Sequence, residues 1–170
     1  MQKSCWYSNA EALADGTIAL IGGLVDGGYI NRNCPNPKVM QFMVDTCLNS
    51  YDYAFVMPSG KMFVTPPDIP GNVIRVYPAS GGVAMLPVTL ANGYNPILLF
   101  CGGSNMPEYD WGNYSWPFVD TWLVSASKDC QRITPEPLDI SGPSWEQGDD
   151  MSGSRTMVNS SALPTAPFSL

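Results

Sequence analysis

The chain contains no histidine at all. That absence excludes histidine-dependent nucleophilic triads and the H-E-x-x-H class of zinc hydrolase. Basic residues are also scarce: 8 Lys and Arg stand against 15 Asp and Glu, for a net charge of −7. With no basic cluster, binding that works by neutralising phosphates is excluded, so no nucleic-acid partner is expected. No apolar run approaches the roughly 20 residues that span a bilayer, so no membrane partner is expected either. The opening MQKSCWYSNA has no apolar core of the kind a signal peptide needs. No G-x-S-x-G, P-loop or dinucleotide fingerprint occurs.

What the chain does have is glycine and proline, 16 of each in 170 residues, with charged side chains at only 14%. This composition points to strands and turns with little helix, in one domain that buries about two thirds of its unfolded surface. Internal repetition is the strongest structural signal. LADGTIALIGG begins at Leu13 and MPSGKMFVTPP begins at Met57, 44 residues later. Leu13, Gly16, Ile18 and Leu20 then align with Met57, Gly60, Met62 and Val64. A third copy, LANGYNPILLFCGG, begins at Leu90 and carries three extra residues after its turn glycine, Gly93.

Asp15-Gly16, Ser59-Gly60 and Asn92-Gly93 read as turns in which glycine supplies a positive φ. The nearly continuous apolar runs that follow suit inner strands covered on both faces. The Gly-Gly pairs 22–23 and 102–103 lie 80 residues apart, twice 40, and would let the backbone pass close to a crowded propeller axis. Periods of about 40 to 50 residues with four strands per unit mark propeller blades. The expected fold is all-β: about three consecutive blades of a kelch-like β-propeller in an incomplete ring, over residues 1–157, with a divergent tail at 158–170. A β-sandwich with glycine turns is the competing architecture.

Between the copies, Asn31 to Pro37 and PPDIPGN (Pro66 to Asn72) read as loops. NVIRVYPA from Asn72 and FVDTWLVSA from Phe118 read as outer strands, and Ser141 to Ser154 as a polar loop. QFMVDTCLNS fits a short helix or a strand. Met157 to Leu163 repeats the spacing of Tyr7 to Leu13, as though another blade were beginning. YDWGNYSW, at 109–116, is an aromatic platform or interblade packing. Asp149-Asp150 is an acid pair or a solvated loop. Asn113 and Asn159 begin N-glycosylation sequons. Five cysteines without C-x-x-C spacing suit disulfides better than a zinc site, with one thiol left over.

In order along the chain, CWYSNAEALADGTIALIGGLVDGGYINRN, LPVTLANGYNPILLFCGGSN, DCQRITPEP and SRTM resemble segments of the glyoxal oxidase propeller of copper radical oxidases, relatives of galactose oxidase. The resemblance runs from about Trp6 to Met157. It implies a secreted enzyme that oxidises small aldehydes or alcohols and reduces dioxygen to hydrogen peroxide. Its copper is held by two histidines, an axial tyrosine and an equatorial, cysteine-bonded tyrosine that carries the radical. Tyr7, in its W-Y-S context, matches that equatorial tyrosine; a strand-end aromatic is the alternative.

The departures are equally specific. Cys5 does not match the position of the cross-linking cysteine, and this chain has no imidazole, the ligand that suits Cu(II). Tyr7 is therefore a metal ligand only if the missing ligands are supplied, and the chain alone is expected to bind no copper and to be inactive. Cys101 and Cys130 lie in segments resembling family cysteines and form either a disulfide or buried thiols. A kelch-type binding or scaffold module is the alternative function. An incomplete ring leaves blade faces uncovered, so self-association is expected. The resemblance places the protein outside the cell.

Overall fold

A computed structural model describes residues 7–23, 51–64, 68–77, 79–106, 123–140 and 142–160. Among them the chain is almost entirely β, with one 3-10 turn, Leu90–Asn92, as its only helical element. Eight strands form three antiparallel sheets. The first pairs β1 (Asn9–Ala12) with β2 (Ile18–Ile21), and the second pairs β3 (Ala54–Val56) with β4 (Met62–Val64). The third is a four-stranded meander in the order β5 (Gly82–Met85), β6 (Leu98–Cys101), β7 (Cys130–Ile133), β8 (Trp145–Gln147).

The two short hairpins are built alike, as their sequence repeat predicts. Leu13 N–H donates to Thr17 O at 2.9 Å, and Met57 N–H donates to Lys61 O at 2.9 Å. Asp15 Oδ1 accepts from Thr17 N–H at 2.9 Å; the equivalent Ser59 Oγ accepts from Lys61 N–H at 3.2 Å. Gly16 and Gly60 take φ values of 83° and 80°, the left-handed region that a side chain disfavours. The third copy differs because of its extra residues. Leu86 N–H and Ile97 O close a wider loop at 2.8 Å, and Gly93 caps the 3-10 turn with φ 62°.

The core is a stack in which β3 and β4 form the middle layer. Alternation sends Ala54, Met62 and Val64 toward Ile21 of β2, while Phe55 and Phe63 point the other way. On that second side they meet one face of the meander: Val83, Met85, Leu98, Phe100, Ile133 and Trp145. Leu98 and Phe100 are fully buried. Phe100 takes edge contacts from Tyr53 and Trp145, with ring centroids 5.7 and 5.4 Å away. The opposite face of the meander carries the directly paired Cys101 and Cys130, and beside them an exposed ion pair, Arg132–Glu146, at 2.8 Å.

The ends of the meander strands converge on Gly102 and Gly103. Their φ values are 75° and 103°, and their N–H groups donate to Asp129 O and Arg155 O at 2.9 and 3.0 Å. A Cβ on Gly102 would sit 2.6 Å from Arg155 O, and one on Gly103 would overlap Ile74 O. The Gly-Gly pair thus allows a close backbone approach to Arg155 and Ile74.

Three expectations need correction or restriction. NVIRVYPA is not an outer strand: it contributes one isolated bridge, Ile74 to Ser104, before turning back so that Gly81 N–H reaches Arg75 O. FVDTWLVSA contributes, within the described residues, only the bridge from Ala126 to Ser104; Phe118 to Trp122 lie outside them. Ser141 to Ser154 is not simply a loop, because β8 lies inside it. Its polar residues find partners across the sheet that local composition does not announce, Glu146 on Arg132 and Gln147 on Gln131. Asn31 to Pro37, QFMVDTCLNS and the aromatic segment 109–116 lie outside the described residues. Residues 157–160 stay against the meander: Met157 N–H donates to Ser80 O at 2.7 Å, and Val158 and Ser160 cover Gly82.

The glycines separate conformational from steric need. Gly16→Ala meets nothing within 4 Å, so it should cost only the left-handed penalty, about 1–2 kcal/mol. Gly103→Ala adds a backbone collision and should cost clearly more. Denaturant midpoints of the two variants measure the difference.

Candidate functional site

Two segments run side by side so that every second residue of one meets the other. Tyr51 packs on Tyr77, and two residues further along Tyr53 reaches Arg75. The first contact belongs to an aromatic cluster and the second to a buried polar network. Together they form the most chemically rich region among the described residues.

The aromatic cluster contains Tyr7. Its ring lies 5.1 Å from that of Tyr51 and 5.7 Å from that of Tyr77, and the Tyr51–Tyr77 separation is 5.3 Å. All three pairs are tilted, and each ring touches both others. The backbone is fixed too: Tyr51 N–H donates to Tyr7 O at 2.8 Å. Tyr7 and Tyr51 take φ values of 61° and 54°, uncommon for residues with large side chains. Such conformations persist where surrounding contacts hold them, and they concentrate at functional sites.

The polar network is centred on Arg75, buried with 2% of its side chain exposed. Its Nη2 donates to Asp129 Oδ2 and, at 3.3 Å, to Asp129 O. Asp129 Oδ1 also accepts from Gln131 Nε2 at 3.1 Å and Gln147 Nε2 at 3.0 Å. Nε and Nη1 of Arg75 have no hydrogen-bond partner among the described residues. The Tyr53 hydroxyl lies 2.9 Å from Arg75 O and 2.6 Å from Gly81 O, donating its one proton between two carbonyls.

This setting shifts the titrations. Burial pushes the Tyr53 phenol up to about 12, against a small opposing pull from Arg75. Burial lowers the Arg75 value, while the hydrogen bond and charge of Asp129 work against that. Burial would raise the Asp129 carboxyl, but hydrogen bonds from Gln147, Arg75 and Gln131 and the Arg75 charge hold it below its ordinary value.

Other residues singled out in the sequence do not converge here. Cys101 and Cys130 are joined, Sγ to Sγ, with Cα atoms 4.1 Å apart. Asp150 is exposed and ion-paired with Lys128 at 3.1 Å, which suits a solvated loop. Asn159 is exposed, whereas Asn113 and Cys5 lie outside the described residues. An open hollow of about 310 Å³ lined by Asn95, Thr134, Leu138, Asp139 and Ser144 includes Glu146, the carboxylate already paired with Arg132. Tyr51, Tyr53, Arg75 and Tyr77 carried no motif, and Asp129 stood out only as the first residue of DCQRITPEP. The available signal was the two-residue spacing of Tyr51 and Tyr53 and of Arg75 and Tyr77, although the positive φ of Tyr51 and the turn at Tyr77 keep both pairs out of regular strands.

No family model matches the chain, and no solved structure matches it. Two curated proteins do, at low identity. One is Art an 7 of Artemisia annua, whose name carries aldehyde oxidase as an inferred activity; it is 25% identical over 89% of this chain and 31% of its own length. The other is the aldehyde oxidase GLOX1 of Arabidopsis thaliana, 26% identical over 94% of this chain and 29% of its own length. The class defined by fold and likeness is thus an all-β protein distantly similar to aldehyde oxidases. The chain spans about three tenths of the relatives it matches.

The copper implied by the resemblance is not matched by the donors present. Around Tyr7 the described ring contacts are two more phenols, and the chain has no imidazole. Cys101 and Cys130 are committed to each other, and no group of three or more His, Cys, Asp or Glu among the described residues is placed to hold a metal ion. These residues do not fit a centre built on two histidines and two tyrosines.

The network makes stability pH-dependent at both ends. Asp129 titrates lower in the fold than in the unfolded chain, so the unfolded state takes up the proton first. Its contribution is present above about pH 4 and is lost as pH falls through the lowered value; Asp129→Asn should flatten that acid limb in denaturant titrations. Tyr53 titrates higher in the fold, so its contribution is complete below about pH 10 and is lost as pH approaches about 12. Tyr53→Phe should remove this alkaline loss while costing about 1–3 kcal/mol at neutral pH, because Gly81 O loses the hydroxyl whereas Arg75 O keeps the Gly81 N–H. The Cys101–Cys130 bridge closes a span of 29 residues. Its reduction should lower stability by about 3–4 kcal/mol, read as a shift in thermal midpoint.

Proposed function

We propose that this chain is a propeller sector of a secreted copper radical oxidase of the glyoxal oxidase type. Such an enzyme oxidises small aldehydes or alcohols and reduces dioxygen to hydrogen peroxide. The observation that carries the reading is the likeness to two aldehyde oxidases across nearly the whole chain, 89% and 94% of it. The sheets are read as consecutive blades: β5–β8 as one four-stranded meander, β3–β4 as part of a second stacked against it, and β1–β2 as part of a third stacked on β3–β4. Tyr7 takes the place of the radical-bearing tyrosine, and the rings of Tyr51 and Tyr77 cover it. An extracellular site agrees with the Cys101–Cys130 bond, since disulfides persist in oxidising compartments.

Without histidine the chain by itself is read as inactive. Its contribution is scaffold and the redox-active ring, while the imidazoles come from elsewhere in the assembled enzyme. Faces of the outermost sheets left uncovered, where Ile18 is 69% exposed, are read as surfaces for neighbouring blades or for self-association.

A chimera tests this. In the Arabidopsis relative, the matched segment is replaced by this chain, and peroxide release from an aldehyde is followed in the presence of copper. The reading expects turnover by the chimera, a fall to background for its Tyr7→Phe form, and none from the chain alone. Peroxide release that is indifferent to Tyr7→Phe, or turnover by the isolated chain, would overturn it.

A further inference from the structure

We propose that Tyr7, Tyr51 and Tyr77 form an oxidative coupling site, at which one-electron oxidation joins Tyr7 to Tyr51 by an intrachain carbon–carbon bond. The proposal stands on the packing of these three rings and does not rest on the copper-oxidase reading. A phenol that loses an electron and its proton leaves a radical spread over oxygen and the ring carbons ortho to it. Such a radical is consumed fastest by a second one already in contact. The three centroid separations of 5.1, 5.3 and 5.7 Å put each ring in contact with two others.

Three further features favour the Tyr7–Tyr51 pair. It has the shortest separation, 5.1 Å. Its backbones are tied by the 2.8 Å bond from Tyr51 N–H to Tyr7 O, so the rings cannot drift apart during the lifetime of a radical. Tyr51 is 48% exposed and accepts contact from an external oxidant, while Tyr7 is half-buried behind it. Tyr77, touching both, can pass an oxidising equivalent to either. Tyr53 stands outside the group: its hydroxyl is engaged by two carbonyls and its ring faces Phe100.

The chemistry balances with a peroxide-driven peroxidase as oxidant. Each phenol gives up one electron and one proton. The two radicals bond ortho carbon to ortho carbon, and the two ring hydrogens move to the oxygens as aromaticity returns. Hydrogen peroxide takes up the two electrons and two protons and leaves as two waters. The product is a biphenol that has lost two hydrogen atoms relative to the starting chain.

The test exposes the whole chain, at low concentration, to a haem peroxidase with hydrogen peroxide. Biphenol fluorescence is followed, and the joined peptides are identified by fragmentation mass spectrometry. The expected result is a monomeric product lighter by two hydrogens, its bond mapped between Tyr7 and Tyr51, with a yield per chain that does not change on dilution. Tyr7→Phe and Tyr51→Phe, which keep the ring packing, should each abolish that bond. Tyr94→Phe should leave it unchanged, because Tyr94 is 60% exposed and has no ring contact among the described residues. A bond mapped mainly to other tyrosines, a product formed only between chains, or equal yield from the Tyr51→Phe chain would each overturn the proposal.

Discussion

The structure depends on the β3–β4 hairpin being covered on both faces. A sheet with one wet face alternates apolar and polar residues; a strand enclosed on both sides cannot afford the polar set. Ala54-Phe55-Val56 and Met62-Phe63-Val64 are accordingly apolar at every position. One face holds Ile21 of the preceding hairpin and the other holds Leu98 and Phe100 of the meander, so a short two-stranded sheet links layers on either side. Each fully buried side chain of this kind contributes about 1.5–3 kcal/mol. The same enclosure sets the size of the side chains. Ala54, Met62 and Val64 lie on the side of the first hairpin, whereas Phe55 and Phe63 pack into the cluster of Phe100 and Trp145.

What was legible in the sequence was whatever backbone conformation alone decides. Gly16 and Gly60 need a positive φ irrespective of their surroundings, so the two hairpins could be read from local residues. Gly102 and Gly103 were legible for a related reason, since an approach that close to Ile74 and Arg155 leaves no room for a Cβ. The failures share a different cause. Trp145-Glu146-Gln147 looks like loop because two of its three side chains are polar. Its strand character comes from partners 12 to 16 residues away, Ile133, Arg132 and Gln131. In NVIRVYPA the error was reversed: the apolar pattern suited a strand, but inward burial of Arg75 and the return of Gly81 to its carbonyl break the ladder after one bridge.

The candidate site was half legible. Tyr7 could be picked out by its surroundings in the chain, whereas Tyr51 and Tyr77 lie 44 and 70 positions away and have no flanking motif. Nothing local marks three phenols that meet only after the sheets stack. Arg75 is similar. A guanidinium enclosed in apolar surroundings is unfavourable unless a carboxylate meets it, and Asp129 comes from the segment leading into β7. That pairing ties the segment before β5 to the start of β7, close to the Cys101–Cys130 bond. An ion pair and a covalent bond thus hold the same end of the meander, and the glycine pair lets the backbones converge there.

The two halves of the site are mechanically one. Tyr51 and Tyr53 lie two residues apart on one segment, as do Arg75 and Tyr77 on another, so a change that loosens Tyr53 from its carbonyls also moves the segment that positions Tyr51 against Tyr7. Burial of Arg75 with Nε and Nη1 unmatched among the described residues is costly by itself, and the carboxylate of Asp129, itself held by the Gln131 and Gln147 amides, offsets that cost. Rigidity at the polar end is therefore what keeps three rings in mutual contact at the aromatic end. The distinction also bears on function. A redox-active phenol requires only a fixed neighbourhood, which these segments supply; a copper centre of the kind found in radical oxidases requires imidazoles, which no residue here replaces. The three phenols are thus held in a fixed neighbourhood by the segments around them, and the chain places no imidazole beside them.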